Sequence, residues 1–320
     1  MQTTGRITGT DANDKADNGG IGMYLYLSCS GEGDEGLNGK QKKSRRLERR
    51  AEKKPWAASV LLALLVAGCV CGELFMTKDP TFMDLANSER APGGEFLFGT
   101  DTLGRDLFSM IWYGGRISLL IGCISTLLST AIGVVLGALC GFAPKWLDLA
   151  LMRFVEIFLS VPSLLMIVFL QAVAGEQNVL TIAVVIGATG WCSIAKVVRT
   201  EVQRLRRSEF VIASRCMGGG FFHILRWHLL PNLLASILFM VIMNIRNAIA
   251  AESTLSFLGL GLPLEIISWG SMLSLAQSAM FTGAWWIVFI PGVFLVATLL
   301  CITKIGAYAQ DVLTRKERNV

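Results

Sequence analysis

The chain has 320 residues, of which 53% are hydrophobic and only 17% charged, with a net charge of +5. Soluble domains carry about 25% charged residues, so the two-domain soluble protein that this length invites is excluded. The apolar residues also run in long unbroken blocks, which excludes a β-barrel of short alternating strands.

Residues 1–38 are rich in Gly, Asp, Asn and Thr and read as a disordered tail. Their one apolar patch, MYLYLSC, is too short to span a membrane and follows no basic segment of the kind a signal peptide needs. GKQKKSRRLERRAEKK (39–54) is a dense basic run. It is either a topology anchor drawn to anionic lipid or a docking site for a cytoplasmic partner. No phosphate-binding glycine loop occurs here, because Asp34 stands where the first glycine before Gly39-Lys40 would be needed. If the work of this protein uses ATP, another subunit must bind it.

Six apolar blocks follow: Trp56–Met76, Ile117–Leu139, Phe154–Ala174, Val179–Val198, Leu233–Ala251 and Trp285–Thr303. Each approaches the ~20 residues that carry a helix across ~30 Å of hydrocarbon. The expected architecture is therefore all-α, a polytopic membrane protein of six transmembrane helices. Basic residues set its orientation: nine lie between Lys40 and Lys54 and seven between Lys196 and Arg226, against Lys78, Arg90, Arg105 and Arg116 in the alternate segments. By the positive-inside rule both termini are cytoplasmic. The expected division is a basic tail over 1–55, a six-helix domain over 56–305 containing a cytoplasmic loop at 199–232, and a cytoplasmic tail over 306–320.

Within that frame, the second span carries Gly133, Gly137 and Gly141 at the spacing that lets helices approach closely. In the third, Arg153 and Glu156 are placed to pair, and Pro162 is expected to bend the helix. The fifth holds Asn244, Arg246 and Asn247 inside apolar sequence, followed by Glu252. An arginine at that depth costs about 2.5–3.5 kcal/mol on insertion scales, so it faces the bundle interior or a wet cavity. A translocation pathway and a structural interhelical bond both satisfy this. The eight cysteines show no C-x-x-C spacing and read as apolar filler rather than as a zinc site or disulfide framework. The only histidines, His223 and His228, are five residues apart, which does not suit paired metal ligation on a helix.

The loop before the fifth span contains EFVIASRCMGGGFFHILRWHLLPN (209–232). Helical apolar spacing over Glu209–Met217 ends at Gly218, a glycine placed as a helix stop. A second short helix is expected over Phe221–Leu230, closed by Pro231. The two helices present an apolar ridge with a basic rim, suited to lipid or to a partner's groove.

Glu209, Ala213, Ser214, Arg215, Gly218, Leu230 and Pro231 resemble the EAA loop of ABC importer permeases. FGTDTLGRDLFSMIWYGGRISLLIG (98–122) resembles a signature of the dipeptide, oligopeptide and nickel permeases, carried by Gly99, Asp101, Gly104, Arg105, Asp106 and Arg116. AESTLSFLGLG (251–261) followed by SWGSML (268–273) resembles a third segment of that subfamily. Together the motifs cover roughly residues 56–315 and resemble the C-type member of a heterodimeric permease. The sequence departs from the family at Ser214, where alanine is commoner, and at Gly219-Gly220, which replace alanine-serine. It departs again at Met110, where a basic residue is common, and at Leu262–Ile267, which replace a Q-P-P-containing stretch.

The resemblance implies a type I ABC importer permease fold in the cytoplasmic (inner) membrane, forming half of a translocation pathway for peptides, nickel or related small solutes. It implies a second permease subunit, two cytoplasmic ATPases that hold ATP and magnesium, and an extracytoplasmic solute-binding protein. It further implies that the EAA loop couples the permease to the ATPases. This chain itself would be no enzyme, and would bind no cofactor, metal or nucleic acid. Asn244, Arg246, Asn247 and Glu252 are pathway or gate candidates. Gly99, Asp101, Gly104, Arg105 and Asp106 are either gate or docking residues for the binding protein or a turn that packs the outer segment, and Arg116 belongs to the same motif. The alternative function is an ATP-independent membrane channel or scaffold.

Overall fold

A computed structural model describes residues 55–218, 230–263, 265–279 and 283–318; within these, the side chains of 210, 215, 230–236, 278 and 313–318 lie outside the description. The tail and the basic run up to Lys54 fall outside the described residues, as does the expected helix Phe221–Leu230 up to residue 229.

The described chain is helical, and its only β feature is an isolated bridge between Thr100 and Asp106. In chain order the helices are α1 (Trp56–Val70), α2 (Gly72–Phe75), α3 (Leu107–Phe142), α4 (Lys145–Ser160), α5 (Ser163–Ala174), α6 (Val179–Leu205), α7 (Glu209–Cys216), α8 (Leu230–Phe257), α9 (Trp269–Ala279) and α10 (Trp285–Arg318). Three of them, α3, α6 and α10, are each long and apolar enough to cross a membrane, and α4 and α5 together are apolar enough to form either a broken span or a re-entrant loop. α1 is apolar but has 15 residues. α8 has 28 residues, about 42 Å of helix, with most of its polar residues in the second half.

Two elements differ from the sequence expectation in shape. The third block is not one bent helix: α4 and α5 meet at 90°. Val161 and Pro162 both leave helical geometry between them, and a proline with no N–H cannot restore the ladder. The Arg153–Glu156 pair does form, at 2.8 Å on the exposed side of α4. The second block is longer than expected. α3 starts at Leu107 and runs for 36 residues, so Arg116 lies in the helix rather than in the segment before it. α10 is likewise continuous through residue 305 to Arg318.

α3 is the central helix. Its glycines 133, 137 and 141 face α6 so closely that a Cβ on Gly137 would lie 2.6 Å from the Ala195 carbonyl oxygen. A second core gathers Cys69, Met110, Ile111, Ile249, Trp269 and Leu295 from α1, α3, α8, α9 and α10. Leu127, Val135, Phe169, Val173, Leu180 and Phe289 point outward and are exposed. Exposed leucine, valine and phenylalanine on helix after helix is the surface expected where hydrocarbon is the solvent.

Candidate functional site

Residues 99–106 form a compact buried turn. Asp101 Oδ1 accepts the backbone N–H of Leu103 (2.9 Å) and Arg105 (2.8 Å), while its Oδ2 accepts Arg105 Nε at 2.7 Å. Both side chains of this ion pair are almost wholly buried. Asp106 caps α3: its Oδ2 accepts Ser109 N–H (3.1 Å), Ser109 Oγ–H (2.7 Å) and Thr77 Oγ1–H (2.9 Å). Such a side-chain cap satisfies N–H groups that a helix start leaves open. Gly99 and Gly104 both have positive φ, and Trp286 of α10 donates Nε1–H to the Thr100 carbonyl at 3.1 Å. The motif is thus an internally hydrogen-bonded, buried turn. Arg116 stands apart from it, donating to Glu73 (2.8 Å) and to the Val70 carbonyl (2.8 Å), and so clamps the end of α1 to α3.

α8 presents two different faces. On one, Glu252 is fully buried among serines: Ser268 Oγ–H donates to it at 2.7 Å, Ser256 at 3.0 Å, Ser118 at 3.2 Å and Ser253 at 3.3 Å. Ser118 belongs to α3, and its oxygen also accepts the Trp269 N–H at 3.2 Å, so this cage ties α3, α8 and the start of α9 together. The opposite face of α8, with Asn244, Asn247, Ala251 and Thr254, lines a cavity of about 490 Å³ shared with α5 and α6. Ser163, Thr189 and Ser193 add hydroxyls to a wall otherwise made largely of isoleucine, leucine and methionine. Asn244 donates Nδ2–H to Ser129 Oγ of α3. Arg246 donates to Asn247 Oδ1 at 2.6 Å, and its buried Nε–H has no partner among the described residues.

The four candidate residues of α8, Asn244, Arg246, Asn247 and Glu252, therefore do not form one site. Asn244 and Asn247 line the cavity, Arg246 reaches it through Asn247, and Glu252 belongs to the serine cage. Sequence reasoning missed the cage serines. Ser253 and Ser256 were readable one and four positions after Glu252, on or beside its helical face, whereas Ser118 is 134 positions away.

α7 occupies Glu209–Cys216, and Gly218 follows with φ +83°, the left-handed geometry of a helix stop. Ser214 is buried while Glu209 and Ala213 are exposed. Arg215 lies within α7. Leu230 and Pro231 are the first two residues of α8, where a proline loses no ladder hydrogen bond; the helix expected before them lies outside the described residues.

Residues 133–319 match the model of the family described as binding-protein-dependent transport system inner membrane component. The chain is 35% identical over 274 residues to the dipeptide transport system permease protein DppC of Bacillus subtilis, covering 86% of this chain and 85% of that one. It is 34% identical over 272 residues to the oligopeptide transport system permease protein OppC of the same organism, covering 85% and 88%. Among solved structures, a chain of the MetNI methionine ABC transporter matches with a TM-score of 0.52 and 17% identity, over 64% of this chain and 95% of that one. That match bears on the fold. The chain belongs to the binding-protein-dependent transport inner membrane components, the permease subunits of ABC importers, together with the dipeptide and oligopeptide permeases.

Proposed function

We propose that this chain forms one half of a peptide translocation route and that the cavity between α5, α6 and α8 is its wall. The observation that carries this reading is the lining, with Asn244, Asn247, Ser163, Thr189 and Ser193 set in an apolar surface. Amides and hydroxyls on an apolar wall hydrogen-bond a peptide main chain while tolerating varied side chains. A second permease subunit supplies the facing wall, and a solute-binding protein delivers cargo from outside. Two cytoplasmic ATPases hold ATP and magnesium, and both termini of this chain lie on their side of the inner membrane.

Coupling to the ATPases runs through α7 and the segment up to Leu230. The left-handed Gly218 is the support for this, because it ends α7 sharply at the start of that segment. Proline, fixed near φ −65°, cannot adopt that geometry. Alanine can do so at a cost of about 1–2 kcal/mol, since a Cβ there meets nothing within 4 Å. In proteoliposomes holding the whole complex, Gly218→Pro is expected to insert normally but to abolish ATP-driven uptake of a labelled dipeptide. Gly218→Ala is expected to retain most of it. Normal uptake by Gly218→Pro would overturn the coupling role, and uptake without ATP would favour the channel reading. Transport of nickel but no peptide in the same assay would overturn the peptide assignment.

A further inference from the structure

A second cavity, of about 510 Å³, lies where the α3–α4 turn meets the end of α6. Its charged lining is Lys145, Arg199, Arg206 and Arg207 against a single carboxylate, Asp148. Two of the cations belong to its frame. Arg199 grips Asp148 through both carboxylate oxygens, with Nη2–Oδ2 at 2.5 Å, and Gln203 donates to the same carboxylate at 3.2 Å. Arg206 donates to the Gly141 carbonyl at 2.7 Å and lies 5.3 Å from the centre of the Phe142 ring. Asp148 thus has both oxygens engaged, and the cavity keeps a surplus of positive charge. Lys145 and Arg207 make no ion pair among the described residues and remain available to a ligand. No side chain caps the start of α4 at Pro144, so its first N–H groups add to the positive field.

What adjoins the cations decides the ligand class. The outward face of α4 carries Trp146, 71% exposed, and Leu149, 60% exposed, next to the charged mouth. A tryptophan beside lysine and arginine at the end of apolar helices is the pattern of the membrane–water interface. Basic pockets between helices at that level take phosphate headgroups.

We propose that this pocket holds the phosphate headgroup of an anionic phospholipid, whose acyl chains lie along the apolar face of α4. The bound lipid would splint the α3–α4 turn against α6. The ligand is identified by its negative phosphate joined to hydrocarbon; a free phosphate lacks the second half and an acidic protein surface lacks the chains.

The test is native mass spectrometry of the full-length chain in detergent, titrated separately with phosphatidylglycerol, phosphatidylcholine and inorganic phosphate. The wild type is expected to retain phosphatidylglycerol well above phosphatidylcholine. Lys145→Ala with Arg207→Ala is expected to weaken that retention about thirty-fold, the loss of two cations near an anionic headgroup. Both side chains are exposed, and an unchanged gel-filtration profile checks that the double variant folds. Lys145→Gln with Arg207→Gln, which keeps side-chain bulk, should show the same loss. Equal retention of the two lipids, or unchanged retention in both double variants, would overturn the proposal. So would displacement of the lipid by an equal concentration of inorganic phosphate. Repeating the titration with the ATPase subunits present separates the remaining occupant: loss of lipid there, with the variants shedding ATPase instead, would assign the pocket to a protein partner.

Discussion

A methyl group on Gly104 would lie 1.8 Å from the Asp84 carbonyl oxygen, and the residue already sits at φ +75°. Either fact disfavours a side chain; together they leave it nowhere to go without moving the backbone that Asp101 and Arg105 hold. Gly104→Ala is expected to exceed the 1–2 kcal/mol of left-handed strain alone and to lower the Tm of the purified chain by about 5 °C or more. A thermal shift measured by scanning fluorimetry checks this. The motif GTDTLGRD was legible in the sequence as a unit, but its role was not. Whether Asp101 and Arg105 face a partner or each other depends on Asp84 and Trp286, which approach the turn from different parts of the chain. Asp101 and Arg105 proved to satisfy one another, four residues apart.

At the scale of elements, the seam between α3 and α6 rests on close backbone approach rather than on large side chains. Lipid offers apolar groups the same environment as a helix interface, so association depends on packing and hydrogen bonds. Gly137 opposes a backbone oxygen, which cannot swing aside as a flexible side chain does. Gly137→Leu is therefore expected to prevent recovery of monodisperse full-length chain in detergent gel filtration, with Gly137→Ala intermediate. This seam was readable from the four-residue glycine spacing. The right angle between α4 and α5 was not, since hydropathy registers how apolar a block is and carries no direction. Pro162 marks where the ladder fails, but the size of the turn is set by what each half packs against. α4 is fixed by Asp148 to Arg199 of α6, while α5 lies along α6 through contacts such as Ile167 with its neighbours in that core.

For the whole molecule, the class was legible because lipid imposes long apolar helices and the three motifs occur in order. The partition of α8 into two faces was not, because it depends on which helix meets which side. That partition gives a paired test. Asn247→Leu changes the cavity wall and is expected to cut ATP-driven peptide uptake roughly ten-fold, a rise of about 1.4 kcal/mol in the barrier, with a smaller fall in Tm than Glu252→Ala because it removes a single acceptor, that of Arg246. Glu252→Ala removes the acceptor of four serine hydroxyls and is expected to cost about 2 kcal/mol or more in stability, lowering Tm and the yield of folded chain. Equal effects of the two variants on Tm would show that the faces are not separate.

The serine cage also bears on how such a protein diversifies. Successive residues on a helix are turned by 100°, so rolling α8 by even one position would carry Glu252 away from Ser118 and Ser268. The cage acts as a key that fixes the helix's rotation, leaving the cavity face at a constant angle whatever residues it bears. Substitutions at Asn247, Ala251 or Thr254 can then accumulate without unseating the helix.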